Sequence, residues 1–439
     1  MGHNGAISMG NDTNRRSFLK YTGVASAAGL VGLAGCSTES TSGGETPDVL
    51  MVVGYPQSGV QLFKDYYADY GDDTTDILVT DGLQDDALPG DVGDDMSNVQ
   101  GTAPSAAGPG VDTFESLFED EFGDSPGVFT SQAYDASAVQ ILANLMAGEN
   151  DGASVRDHMR VVANPGGDTY APSELPAAAE AAAAGENIQY EGASGSVDFD
   201  DAGDITSAQY QVFGFTEDGY ESTDTVDFGA SGDVPQPEPA GSGSGSDRTV
   251  RLGVLQPETG DLGNLGGPIR DAALLPAIQL RDSIDQSIDT QVGDTQSTAQ
   301  AAVDAANSLV SAGYPSLTGA ASSESTIRVA NNVLVDNEVV ACSPASTSPN
   351  ITDLDDSDFL FRTPPSDALQ GQVLAQVASE DIGASTASTL YLNNSYGQAL
   401  QESFASAFQE EQDGQVLQQV GFESQQSSYT SQINSALNQ

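Results

Sequence analysis

Pro47–Gly54, PDVLMVVG, decides how this chain folds. Five consecutive apolar residues between Pro-Asp and Gly read as a strand buried on both faces. No helix is expected before it. Far along the chain, Ser428–Gln439 (SYTSQINSALNQ) reads as a helix with no strand after it. Between them Gly241–Ser246 (GSGSGS) forms a flexible bridge. The economical reading is a circular permutation: residues 247–439 are the original first part and residues 45–240 the original second part.

In that restored order, strand and helix alternate. Val250–Leu255 is a strand, about Pro268–Arg281 a helix, Thr290–Val292 a strand and Ser297–Ala312 a helix with Ala, Val and Leu at helical spacing. Pro315–Thr318, Val339–Cys342 and Phe359–Arg362 read as strands; Thr326–Asp336 and Ala368–Ser379 read as helices. Strands Thr389–Leu392 and Val416–Phe422 flank the helix Gly397–Glu411. After Pro47–Gly54 come a helix at Ser58–Tyr70 and the strand Ile77–Val79. The alternation predicts an α/β fold with open parallel sheets flanked by helices, since parallel strands need crossovers of this length. Beyond it, Gly101–Gly110 reads as a loop and Tyr134–Met146 as an amphipathic helix. Pro172–Gly185 is rich in Ala and Glu, Gly192–Phe213 holds short strands, and Glu221–Ser246 is a linker.

The 439 residues carry 65 Asp and Glu against 12 Lys and Arg, a formal charge of −53. Such self-repulsion destabilises a compact chain in dilute buffer. It is tolerable where the Debye length is roughly 3 Å, as at about 1 M salt. Because the acidity is spread evenly and the apolar segments are regular, it reads as the surface of a halophile's protein and not as disorder. No basic patch exists to neutralise phosphates, so nucleic acid is excluded as a partner. Two cysteines, Cys36 and Cys342, give no disulfide framework; Cys342 ends an apolar strand and reads as a small core residue.

Asn14-Arg15-Arg16-Ser17-Phe18-Leu19-Lys20 is a twin-arginine export motif. The apolar run Tyr21–Leu33 that follows is too short and too rich in Gly, Ala and Ser to span a bilayer. It ends in Leu33-Ala34-Gly35-Cys36, which resembles a lipobox. Residues 1–36 therefore read as a signal peptide ending at a Cys36 that takes a lipid, and residues 37–46 as a tether. The expected location is the outer face of the cell membrane.

The loops between these elements resemble those of the type I periplasmic binding proteins of ABC transporters, the branched-chain amino-acid group, in a haloarchaeal lipoprotein form. Thr259-Gly260-Asp261-Leu262, Gly319-Ala320-Ala321-Ser322-Ser323 and Ser343-Pro344-Ala345-Ser346-Thr347 look like first-lobe ligand loops. Tyr396-Gly397, Gly54-Tyr55 and Thr80-Asp81-Gly82 look like second-lobe ones; Gly101–Pro104 and Tyr134-Asp135-Ala136 match later segments. The departure from the family is the order. The resemblance implies two lobes joined by three crossing segments, with the ligand in the cleft at the strand ends and hinge closure around it. Lobe 1 would be 247–383 plus 121–175, and lobe 2 would be 384–439 plus 45–120 plus 188–226. Residues 227–246 would form a Pro/Gly/Ser linker.

The same resemblance implies the contacts. Ser322 or Ser323, Thr347 and the backbone at Ala345 would donate to an amino-acid carboxylate, helped by helix N-termini. Asp81 would accept from the ammonium. Leu265, Tyr396 and Tyr55 would wall the pocket. Serine and threonine in front of helices also serve as caps, and Asp81 stands out among many acidic residues only by its place after an apolar strand and before Gly82.

The function implied is that of a solute receptor delivering a branched-chain or related amino acid to a membrane ABC permease. No cofactor is expected. Hydrolysis would occur elsewhere, as the chain has no phosphate-binding Gly-Lys-Ser/Thr loop, and nothing points to an enzyme. A receptor for amides, urea or aromatic acids, and a chemosensory binding protein without transport, remain open beside it.

Overall fold

The computed structural model describes residues 45–71, 75–217, 219–229, 234–235, 243 and 248–438. The expected signal peptide, its Cys36 and most of the tether and linker lie outside the described residues.

The strands in chain order are β1 (Val49–Val53), β2 (Asp76–Val79), β3 (Val99–Pro104), β4 (Asp168–Tyr170), β5 (Ile188–Tyr190), β6 (Ala208–Thr216) and β7 (Gly219–Phe228). There follow β8 (Thr249–Gln256), β9 (Ser287–Asp294), β10 (Ser316–Gly319), β11 (Val340–Ser343), β12 (Leu360–Arg362), β13 (Thr386–Leu392) and β14 (Gln415–Phe422). They build a seven-stranded sheet, β14-β13-β1-β2-β3-β6-β7, a five-stranded sheet, β12-β11-β10-β8-β9, and the small pair β4-β5. All neighbours from β14 to β3 are parallel, as are all in the five-stranded sheet; only β6 and β7 run antiparallel.

β1 is buried at all five positions. It lies between β13 and β2, with Val49–Val53 paired to Ala387–Tyr391. Numbered from β13, the five parallel strands of the larger sheet stand in the order 2-1-3-4-5. Numbered from β8, the smaller sheet has the same order. This is a doubly wound arrangement with one switch point per sheet, beside β13 and β1 in one and beside β8 and β10 in the other.

Three segments pass between the two layers: 105–110, 191–207 and 363–366. These crossings move the expected lobe boundaries. Helix Val111–Phe122 packs on helices Thr130–Ala147 and Gly263–Leu280, beside the smaller sheet, although 45–120 was expected in lobe 2. β5 pairs with β4 and packs on helix Gly152–Ala163, so the return to lobe 2 comes after residue 188. Helix Asp367–Gln376 packs on helix Ser395–Glu410 and on β3, although it was expected in lobe 1. The chain leaves a sheet at its proline breaks, Pro104 and Pro364-Pro365, because a proline supplies no donor to extend the ladder.

Three local readings change as well. Gly101–Pro104 belongs to β3; a Cβ on Gly101 would lie 2.3 Å from the Phe213 ring, so the glycine admits an aromatic from β6. Helix Thr130–Ala147 is buried from Thr130 through Met146 instead of amphipathic. Two of its polar residues bond inside the layer: Ser137 Oγ and Gln140 Nε2 reach the Thr318 hydroxyl at 2.8 and 2.9 Å. The linker begins after β7, which extends to Phe228. Cys342 is fully buried, as a core residue, and burial pushes its thiol pKa up.

Helix Ser395–Glu410 shows how a strand end becomes part of a site. Asn394 caps it, its side chain accepting from Gly397 N–H at 2.9 Å. The helix then starts so close to β13 that a Cβ on Gly397 would lie 2.1 Å from the Leu392 carbonyl oxygen. Gly397→Ala is expected to destabilise the protein by about 1–3 kcal/mol through overpacking. Denaturant unfolding measures it, and an unchanged midpoint would refute this account of the turn.

Candidate functional site

The C-terminal ends of the parallel strands of both sheets face one small cavity. From the smaller sheet, the segment after β8 contributes Pro257, Leu262, Leu265 and Ile269; the ends of β10 and β11 contribute Ala321, Ser323 and Ala345. From the larger sheet, Tyr55 follows β1, Asp81 and Gly82 follow β2, and Tyr396 follows β13. Phe129 closes the remaining side.

Six of the residues expected in the site, Leu265, Ser323, Ala345, Tyr396, Tyr55 and Asp81, line this cavity. Ser322 and Thr347 do not. Ser322 caps helix Ser323–Val329, its hydroxyl accepting from Ser325 N–H at 3.3 Å, which turns it away from the cavity. The Thr347 carbonyl accepts from Asp367 N–H at 2.8 Å. Thr347 therefore serves the start of helix Asp367–Gln376.

Asp81 is 2% exposed and is the one charged side chain lining the cavity. Burial pushes its carboxyl up to about 6, against the pull of hydrogen bonds from Gln370 and Tyr396. The Tyr396 hydroxyl lies 3.2 Å from Asp81 Oδ1 and 2.7 Å from Thr80 Oγ1. The Tyr396 ring stacks on Tyr55, centroids 5.6 Å apart and planes within 7°, a contact worth about 0.5–1.5 kcal/mol beyond its area. Asp367, which does not line the cavity, is fully buried. Burial, reinforced by the charge of Asp81, holds its carboxyl well above the usual range.

The lobe-1 loops are stitched together from behind. Ser343 Oγ donates to the Ala320 carbonyl at 2.6 Å, and Ser346 Oγ lies 2.7 Å from Thr326 Oγ1. Arg362, 1% exposed, donates to the carbonyls of Ser346 and Ser348 and to Thr352 Oγ1, and pairs with Asp204 from the 191–207 crossing. A cation without access to water thus fixes the loop that carries Ala345.

Phe129, Pro257 and Ile269 were not foreseen. Ile269 lies one turn after Leu265 on helix Gly263–Leu280, a spacing that could have revealed it. Phe129 carries no such signal: it reaches the cavity through a left-handed backbone, φ 63°, uncommon for a bulky residue. Among the described residues, no group of three or more His, Cys, Asp or Glu could hold a metal ion, and no helix is long and apolar enough to cross a membrane.

Residues 249–439 match the profile of the family described as periplasmic binding protein. No curated protein matches the chain. Solved structures similar to it include a leucine-binding protein LivK from Thermotoga maritima, at 24% identity, covering 43% of this chain and 53% of that one, with a TM-score of 0.38. Another is the branched-chain amino acid transporter substrate-binding protein LivJ from Streptococcus pneumoniae, in complex with isoleucine, at 22% identity over 42% and 52%, TM-score 0.38. A third is a solute-binding protein of an ABC transporter from Rhodopseudomonas palustris, in complex with 3,4-dihydroxybenzoic acid, at 18% identity over 40% and 47%, TM-score 0.36. The chain spans about half the length of these structures.

Removing Asp204 would leave the Arg362 guanidinium buried and uncompensated. Asp204→Ala is expected to cost about 3–5 kcal/mol, read as a lower denaturation midpoint. A loss under about 1 kcal/mol, the worth of an exposed pair, would show that water replaces the carboxylate.

Proposed function

We propose that this chain is the extracellular solute-binding component of an ABC importer and holds a branched-chain or related amino acid in the cleft between its lobes. The observation that carries the reading is Asp81: a buried carboxylate, with no cation beside it among the lining residues, in an otherwise largely apolar cavity. A ligand ammonium would supply the missing charge. Leu265, Ile269 and Phe129 offer an apolar wall, while Ser323 Oγ and the backbone at Ala345 are the polar groups for a carboxylate. The match of residues 249–439 to periplasmic binding proteins supports binding over catalysis. The flat Tyr55–Tyr396 face would also suit an amide or aromatic acid, the second reading.

In this proposal a twin-arginine signal exports the chain, the Cys36 thiol carries a lipid, and a membrane permease receives the ligand. The surface charge fits a salt-rich surrounding. The lobes are the layers around the two sheets, and the chain order is a circular permutation. The shared 2-1-3-4-5 order supports the last point, because the larger sheet matches the smaller only when reading starts at β13.

Three measurements test this. In a thermal melt in multi-molar KCl, L-leucine, L-isoleucine or L-valine at about 100 times Kd should add about 2.7 kcal/mol of stability; a shift with urea, acetamide or benzoate alone would favour the second reading. An ammonium needs ionised Asp81, so leucine affinity should fall about tenfold per pH unit below about 6. Asp81→Asn should remove binding at every pH; unchanged affinity would take Asp81 out of the site. Without ligand the sign reverses: a carboxyl raised by folding favours the folded state at low pH, and that contribution disappears as pH rises from 3.8 through about 6. Finally, residues 247–439 followed by 45–240 should fold with the same ligand shift, and failure to fold would sink the permutation.

A further inference from the structure

The helix Pro56–Asp69 begins without a cap of its own: Tyr55 at its N-cap gives no side-chain hydrogen bond, and Pro56 has no N–H. The orphan donor of the first turn is nevertheless satisfied. Ser58 N–H donates to Asp261 Oδ1 at 3.0 Å, and the Ser58 hydroxyl lies 2.9 Å from both Asp261 carboxylate oxygens. Asp261 stands in the loop between β8 and helix Gly263–Leu280, which belongs to the smaller sheet, whereas helix Pro56–Asp69 follows β1 of the larger one. The cap therefore comes from across the cleft.

Both partners are buried, Ser58 at 1% and Asp261 at 4% exposure. No Lys, Arg or His contacts Asp261 among its hydrogen bonds and ion pairs; the positive end of the helix stands in for a cation. Ser58 Oγ also accepts from Gln425 N–H at 3.2 Å, which ties the loop after β14 into the same point. Nearby, Asn264 Nδ2 donates to Asp85 Oδ2 at 3.2 Å, a weaker and exposed bond between the same two layers. On another side of the cavity, Ser348 Oγ donates to the Ser395 carbonyl at 3.1 Å.

We propose that the Asp261 carboxylate and the first turn of helix Pro56–Asp69 form a latch that holds the cleft closed. Neither residue lines the cavity, so the pair acts on closure and not by touching ligand. In the open state each group returns to water; in the closed state the carboxylate completes a helix terminus, and two surfaces that share no strand are joined by a charge-assisted contact. Opening must break that contact before the cavity is reached. The latch sets the ratio of closed to open forms, and through it the apparent ligand affinity. It rests on the two-lobed reading above but on no particular ligand.

Small-angle X-ray scattering of the full chain, without ligand and in multi-molar KCl, tests it. Asp261→Ala should shift the closed-to-open ratio towards open by about tenfold, seen as a larger radius of gyration than wild type. Asp261→Asn, which keeps one acceptor, and Ser58→Ala, which keeps the N–H, should each give a smaller increase, and Ser58→Ala combined with Asp261→Ala no more than Asp261→Ala alone. A cooperative melt in each variant separates opening from unfolding. If Asp261→Ala does not melt cooperatively, the two milder variants decide. Scattering from folded variants that superimposes on wild type overturns the latch, as does an effect of Ser58→Ala that persists in full when Asp261 is already Ala. Failure of leucine to shift the wild-type melt would remove the ligand assignment and leave this comparison intact.

Discussion

The parallel pairing of β1 with β13 is the interaction on which the rest of the larger sheet depends. Five buried residues, Val49–Val53, carry backbone groups that no water can reach. Each must find its partner on β13 or β2, because an unpaired buried donor or acceptor costs about 1–3 kcal/mol. The pairing brings residues more than 300 positions apart into one layer. It also fixes a switch point: helices leave β1 and β13 on opposite faces of the sheet, and the gap between their ends admits Tyr55 and Tyr396. The tyrosine stack is a consequence of strand register before it is a feature of a binding site.

Around that gap the molecule keeps charge scarce. Its surface is densely acidic, yet the cavity wall holds a single carboxylate. Asp81 and Asp367 both lie in surroundings that favour the neutral acid. Arg362, a buried cation, is committed to Asp204 and to the carbonyls of Ser346 and Ser348. It therefore shapes the loop of Ala345 without neutralising Asp81 directly. Positioning and electrostatics are divided between two groups, so the carboxylate in the cavity is left for something that enters from outside.

Much of this was legible in the chain. Strand–helix alternation has a strong period; Val49–Val53 declares itself by an unbroken apolar run, and Leu252–Leu255 and Thr389–Leu392 by short, mostly apolar ones. Asp81 could be singled out because an acidic residue just past the apolar run Ile77–Val79, and before a glycine, sits at a strand end. Ser322 and Ser323 could not be separated, since a one-residue change in a turn rotates a side chain from the cavity to the helix cap. Tyr134–Met146 reads as amphipathic from its sequence; in the fold the helix is buried along its length, and Ser137 and Gln140 bond to Thr318. Phe129 was invisible because only a left-handed residue at the head of that helix turns it inward. The crossings fall at other places than the expected boundaries for a related reason: composition changes gradually along the chain, whereas two of the three crossings begin sharply at prolines.

The cavity is assembled from units that are each local in sequence. β8 with its following loop and helix, and likewise the units that begin at β10, β11, β13, β1 and β2, contribute every lining side chain but Phe129. Within a unit, strand direction and helix cap decide where the side chain points; Asn394 and Gly397 do this for Tyr396, as Ser322 does for Ser323. Between units, only sheet pairing matters. The order in which the units follow one another along the chain enters neither their internal geometry nor their registration. Under the proposed rearrangement the site is therefore preserved so long as no unit is cut and the connection between β7 and β8 can reach. What a new order changes is the sequence distance between paired strands, and with it the loop-closure entropy that folding must overcome. That cost grows only with the logarithm of loop length, so rearranging these units bears more on how fast β1 finds β13 than on whether the paired state is stable.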